Sequence, residues 1–449
     1  MSHTLSFIKG ELHSSPGLVC GPISVLNDTP DIVSLRNPLT QLVIVLQKGE
    51  QKVELPVAPF FFYSTPTHQG KIKCEQEGLS LFLLELPIPL YGVTSICGIQ
   101  GRDLVNIATQ GGLIYSLELS KVKETFAEIY QLSSFLVPLD PNYDERGLLD
   151  LVIGTDGRKF LYMCMPPQDP NTTDHINSVY ELGTDGNTIL ITSFPAKNKI
   201  HNGGRLLLAL PYLFVGTGDG GPQEDPESNA QNPMLLQGKI LRFNVSTPGA
   251  PRPQESNPFS MDDAAVATGK AQKGRPEIYA YGIRNCWGLS IDSQSRVFCA
   301  DVGHKTMERV NIIEKGGNYG WNWWEGTVPT PWRKEATRPG QQLPIIEYSH
   351  AKAPNPESCA IIGGYPVIDG VGRSGYVFAD ISGAIFFYYE GKDSSWVNAW
   401  ICDVPPIPGQ TKPPNVRVMG RDGLGQIYVV AAESLSPKAR SYIYRLQGI

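Results

Sequence analysis

The sequence lacks several features that would place it quickly. It has no apolar run near the roughly 18–20 residues that cross a bilayer, so no transmembrane helix is expected. It has no block of Lys and Arg, and its net charge is −6, which speaks against a nucleic-acid footprint. Its first residues, MSHTLSFIKGELHSSPG, lack the basic-then-apolar order of a signal peptide. Three N-x-S/T patterns, at Asn27, Asn171 and Asn244, therefore matter only if the chain is exported by another route. The cysteines at 20, 74, 97, 164, 286, 299, 359 and 402 contain no C-x-x-C pair. That argues against a zinc ribbon or redox dithiol and for mostly free, buried thiols. Charged residues are only 18% of the chain, too few for a charge-laced helical or disordered protein.

Turn formers and strand formers are plentiful. With 46 Gly and 37 Pro, the chain is cut into short pieces, and aromatic and β-branched residues fill the pieces between. Residues 1–84 read as short strands such as LVIVLQKG, KVELPVAPFFFY and LSLFLLELP, a small N-terminal β domain. From residue 85 to 449 a different unit recurs about every 50–60 residues: an apolar run, a Gly- or Asp-Gly-type turn, a second apolar run. GLLDLVIGTDGRKFLYMCM, GLSIDSQSRVFCADVG and VMGRDGLGQIYVVAAES are examples. About six such units fit, which predicts an all-β, six-bladed β-propeller. The segments 165–177, 220–234, 247–276 and 325–358 become loops on one face, where function concentrates. TFAEIYQLSSFL (125–136) reads equally as a short helix or a strand.

Several segments, in order, resemble the soluble glucose/sorbosone dehydrogenase family. They are DERGLLDLVI (144–153), HNGGRLLL (201–208), LFVGTGDGG (213–221), LQGKILRFNV (236–245), EIYAYGIRNCWGLSID (277–292), ADVGHKTMERVNIIEKGGNYGW (300–321) and IIGGYPV (361–367). The resemblance implies a six-bladed propeller that uses pyrroloquinoline quinone (PQQ) with calcium to oxidise an aldose or related alcohol. Hedgehog-interacting-protein-like chains share the same propeller. Family members usually work outside the cytoplasm.

The resemblance assigns roles residue by residue. His201 is the general base that takes the hydroxyl proton as hydride leaves, work suited to a neutral imidazole. Gly203 and Gly204 let the backbone approach the pocket floor. Arg284 and Asn285 contact PQQ, the guanidinium matching carboxylates bidentately. Trp287 stacks near the flat ring, and Arg417 adds a further cation. Gly303 and His304 supply backbone carbonyls to calcium. Trp323 and Trp324 suggest a sugar-stacking rim, and Asp219 or Asp225 a second calcium position, although an EF-hand spacing is absent.

The chain also departs from the family. Arg309 stands where a calcium-binding carboxylate is expected; a guanidinium there repels the ion and can reach the same oxygens. FADISG (378–383) offers Asp380, Ile381 and Ser382 where a Lys is expected. Of Arg417 and Arg421, only Arg417 aligns with the last pair of cofactor arginines. PQQ carries three carboxylates, and each one buried without a matched cation costs several kcal/mol. Two readings follow: a PQQ- and calcium-dependent sugar dehydrogenase, or a catalytically degenerate propeller. The second would bind a protein partner through its loops or its N-terminal domain.

Overall fold

The structure is a computed structural model. It describes side chains for residues 89–117, 139–165, 174–183, 188–333, 340–351, 359–370, 372–399 and 402–447, and for Leu81, Leu83 and Leu84. Elsewhere it describes only backbone, that of strands and of Lys352.

The chain folds as antiparallel meanders arranged in a ring. Gly147–Ile153, Lys159–Met165, His175–Leu182 and Thr188–Ala196 form one sheet in chain order. Arg205–Ala209, Tyr212–Gly216 and Lys239–Asn244 begin the next, with Ile278–Tyr281 beyond them. Cys286–Ile291, Val297–Asp301, Met307–Ile313 and Ile346–Ser349 form another. Ile361–Ile368, Ser374–Asp380, Ala384–Glu390 and Trp396–Asp403 follow. A larger sheet joins the meander Val93–Gly98, Leu104–Thr109, Leu113–Glu118 and Phe126–Gln131 to the last strands, Asn415–Arg421, Ile427–Ala432 and Arg440–Gln447. Their link is one parallel pairing, Cys97 with Arg421. The segment left open between helix and strand is thus a strand over Phe126–Gln131.

The first strand of each meander touches the first strand of the next, from Val93–Gly98 through Gly147–Ile153, Arg205–Ala209, Cys286–Ile291 and Ile361–Ile368 to Asn415–Arg421 and back. This is a propeller arrangement, with inner strands around an axis and sheets stacked face to face. Stacking explains why strands such as Val297–Asp301 are buried at every residue instead of alternating. Phe160, Val179, Leu213 and Leu241 fill one gap between sheets. Phe214, Ile240, Leu289 and Cys299 fill the next, and Phe298, Val310, Tyr376 and Phe386 the one after. Each such side chain contributes about 1.5–3 kcal/mol on burial. Near the axis the backbones crowd: a Cβ on Gly363, whose φ is +106°, would lie 2.7 Å from the Gly288 Cα.

One turn device recurs between first and second strands. Asp156 accepts the backbone N–H of Arg158 and pairs with its Nε at 2.6 Å. Asp292 does the same for Arg296, and Asp369 for Arg373, with Nε–Oδ2 distances of 2.6 and 2.7 Å. In each, the aspartate closes the hairpin turn and holds the arginine that follows it.

In the first 73 residues, Thr4–Ile8, Glu11–Ser14, Pro22–Asn27 and Gly49–Glu54 form one four-stranded sheet. Val33–Arg36, Val43–Leu46, Phe60–Ser64 and Gln69–Lys73 form another. Ser80–Leu83 and Leu90–Tyr91 pair antiparallel with the final strand Arg440–Gln447.

Candidate functional site

The chain enters the inner strand Arg205–Ala209 through a sharp bend. His201 has φ +58°, the left-handed region that glycine prefers, and Gly203 follows at +64°. A Cβ on Gly203 would lie 2.4 Å from the Gly218 nitrogen, so only glycine fits. A non-glycine residue held this way stores about 1–3 kcal/mol of strain. It is held by Glu145, whose Oε2 accepts the His201 N–H at 2.7 Å, and by the Gly220 N–H on its carbonyl at 3.0 Å.

The bend places the imidazole, 4% exposed, between an acid and a cation. Nδ1 lies 2.8 Å from Asp219 Oδ1, and Nε2 lies 2.9 Å from Arg284 Nη2. Arginine can only donate. Nε2 therefore accepts, and the ring proton sits on Nδ1, donated to Asp219. The Asp219 carboxylate also takes the Gly221 N–H at 2.7 Å and the Trp321 Nε1–H at 2.7 Å.

Arg284 is the hub. Besides His201, its fork donates to the Gly303 carbonyl at 2.6 Å and to Gln223 Oε1 at 2.7 Å. Its guanidinium lies over the Trp321 ring, 5.2 Å from the centroid. Burial lowers its hold on its proton, and the charge of Asp219 opposes that. Its Nε has no partner. Asn285 ties the site to its neighbours: its amide oxygen accepts the Gly203 N–H at 2.9 Å, and its Nδ2 reaches Glu145 Oε2 at 3.3 Å.

Around Gly303 and His304 the oxygens are occupied by cations of the chain itself. The Gly303 carbonyl is bound by Arg284. Arg309, 2% exposed, donates to Asp301 Oδ2 at 2.6 Å and to the carbonyls of Val302 at 3.4 Å and Met307 at 3.3 Å. The guanidinium thus reaches a carboxylate and two carbonyls. The His304 side chain packs against Trp332 and Trp321, and neither ring nitrogen has a hydrogen-bond partner. Burial lowers its proton affinity, and Arg284 lowers it further.

These groups line a cavity of about 190 Å³ with Tyr143, Glu145 and Trp287. Arg417 lies outside it, lining an adjoining pocket of about 40 Å³ that shares those three residues. Its guanidinium is held by Gln110 Oε1 at 3.1 Å and the Ser436 carbonyl at 3.0 Å, and burial pushes it down to about 10. Arg205 and Trp287 line both this pocket and the axis below it. Arg205 donates to the carbonyls of Trp287 at 2.9 Å, Thr94 at 2.8 Å and Leu149 at 3.1 Å, stitching inner strands together. Its guanidinium lies over the indole at 5.6 Å. Beneath them a second axial cavity of about 260 Å³ is lined by Asp150, Tyr365 and Arg421.

The structure thus brings His201, Arg284, Asn285, Trp287, Gly303 and His304 around one cavity and leaves Arg417 next door. Asp219 and Asp225, read from sequence as calcium candidates, have their carboxylates used within the chain. Asp225 caps the Asn229 and Ala230 N–H groups at 2.8 and 3.0 Å. Trp321, rather than Trp323 or Trp324, bonds to Asp219 and stacks on Arg284. Glu145 and Gln223 were not singled out. Glu145 belongs to the DERG segment and was visible; Gln223 lies in a polar loop with no pattern to mark it.

A sequence profile of the glucose/sorbosone dehydrogenases matches residues 127–364, more than half of the chain, and the protein belongs to that family. Among curated relatives, the HIPL1 protein of Arabidopsis thaliana is 36% identical over 214 residues, 41% of this chain and 29% of that protein. The aldose sugar dehydrogenase YliI of Escherichia coli is 33% identical over 123 residues, 27% of this chain and 29% of that protein. The matched region therefore spans under a third of either relative. In structure, the PQQ-bound aldose sugar dehydrogenase of Streptomyces coelicolor aligns with TM-score 0.57 at 20% identity, over 82% of this chain and 98% of that one. The apo soluble aldose sugar dehydrogenase of Escherichia coli aligns with TM-score 0.59 at 18% identity, over 83% and 100%. These likenesses establish the propeller fold.

Proposed function

We propose that the chain is a glucose/sorbosone dehydrogenase propeller that has lost its redox cofactor and serves as a binding module. The observation that carries this reading is the position of Arg284. One guanidinium occupies the His201 Nε2 lone pair and the Gly303 carbonyl. The first is the atom a general base needs; the second is the atom a calcium ion would take. Arg309 fills the neighbouring oxygens in the same way.

The residues present do not fit PQQ with calcium. The cavity of about 190 Å³ is below the roughly 300–1,000 Å³ usual for ligands of that size. Arg417 is committed to Gln110 and Ser436. The orphaned Arg284 Nε and Trp287 Nε1 favour the opposite reading, since each offers a donor to an acceptor-rich guest. That reading, sugar or alcohol oxidation with His201 as base, requires Arg284 to release both of its contacts. Arg284, Trp287 and Arg417 would then hold the quinone, and the Gly303 and His304 carbonyls the ion.

Partner binding is supported by three of the loops, each of which exposes a large apolar side chain. Met234 is 42% exposed, Met261 46% and Leu343 56%. In this proposal the two sheets formed within residues 1–73 are available to the same partner. The test is a PQQ titration of the full chain with saturating Ca²⁺, followed by a dye-linked assay on an aldose panel. No complex below high micromolar PQQ and no turnover are expected. A stoichiometric, Ca²⁺-dependent complex whose turnover vanishes in His201→Ala would overturn the proposal.

A further inference from the structure

The geometry points to a second site, separate from the axial cavity: Glu308, His350 and Cys359 form a three-ligand site for a divalent transition ion of the zinc class. It lies at the seam between two sheets. Glu308 is on the strand Met307–Ile313, His350 directly follows Ile346–Ser349, and Cys359 shortly precedes Ile361–Ile368.

A ligand atom from each of the three residues lies within 4.8 Å of the others. Around a tetrahedral ion with bonds of about 2.0–2.3 Å, ligand atoms sit about 3.3–3.8 Å apart, so modest side-chain closure suffices. The carboxylate is already aimed. Glu308 is fully buried, and its Oε2 accepts the N–H groups of Gly303 and Ile361, both at 3.0 Å. That leaves Oε1 facing His350 Nε2 at 2.7 Å. The Cys359 thiol donates to Asp380 Oδ2 at 3.4 Å. Asp380 is itself fixed by the Tyr348 hydroxyl at 2.7 Å and the Ala360 N–H at 3.1 Å. The thiol contact with Asp380 lasts only while Sγ keeps its proton, so it is given up when the thiolate forms.

The donor set selects the ion. Thiolate, imidazole and one carboxylate suit zinc, whereas calcium and magnesium prefer oxygen alone. One thiolate and one carboxylate balance a 2+ charge, with the imidazole neutral. On binding, the thiol proton and any proton on His350 Nε2 go to solvent. Among the described residues, no hydrogen bond from Lys or Arg reaches these three side chains, although Glu308 is paired with His350 and feels the charges of Arg284 and Arg309.

The test uses the full chain, stripped with chelator and titrated with Co²⁺ and then Zn²⁺. One Co²⁺ per chain with a thiolate-to-cobalt charge-transfer band is expected, displaced by Zn²⁺. Zn²⁺ should also raise the melting temperature, because the ion clamps two sheets. Cys359→Ser should remove the band, and His350→Gln should weaken binding by at least about 100-fold. Circular dichroism in chelator establishes that each variant is folded. Absence of a charge-transfer band in the parent chain, or a band that survives in both Cys359→Ser and His350→Gln, overturns the assignment.

Discussion

Arg309 and Asp301 lie out of water together, 2.6 Å apart and almost wholly enclosed. Removing one member of such a pair strands the other charge. Arg309→Ala is expected to destabilise the chain by about 3–5 kcal/mol, read from urea denaturation. Arg309→Met combined with Asp301→Asn should cost clearly less, because no bare charge remains. Equal losses in the two variants would show that packing, not charge, dominates. Asp225 gives a pH-dependent counterpart. Burial, and then the charge of Asp219, pushes its carboxyl up to about 7. The folded chain therefore holds this proton more tightly than the unfolded chain, whose carboxyl titrates near 3.9. The resulting stability is fully present below about pH 4 and is lost as pH rises to about 7. Asp225→Asn should flatten that part of the stability–pH curve; an unchanged slope would assign it to another group.

At the scale of the element, the hairpin turns were the legible part. TDGRK and DSQSR announce a tight turn, and the structure adds that the arginine returns to the aspartate. Asp292→Ala removes two backbone bonds, to Gln294 and Arg296, and the contact with Arg296 Nε. A loss of about 1–3 kcal/mol is expected in thermal or urea unfolding, and Asp292→Asn, which keeps an acceptor for the two backbone bonds, should lose less. The strand Phe126–Gln131 was not decidable from sequence, because FAEIYQ satisfies both a helical and an alternating pattern and only pairing with Leu113–Glu118 resolves it. The site behaved similarly. Family motifs marked His201, Arg284 and Gly303 one at a time. Nothing local indicated that the second would occupy the other two, since they meet across 83 and 19 residues of chain.

For the molecule as a whole, the ring is fastened by its ends. Ser80–Leu83 and Leu90–Tyr91 pair with Arg440–Gln447, so the chain preceding the first meander completes the sheet made by the last strands. Deleting residues 1–92 is expected to lower the melting temperature by more than deleting 1–79, because only the longer deletion bares the edge of the final strand. Equal melting temperatures for the two deletions would show that these short pairings add nothing to closure. Trp287 is a wall shared by the cavity beside His201, the small pocket beside Arg417 and the second axial cavity. Replacing that one indole therefore reshapes all three hollows at once.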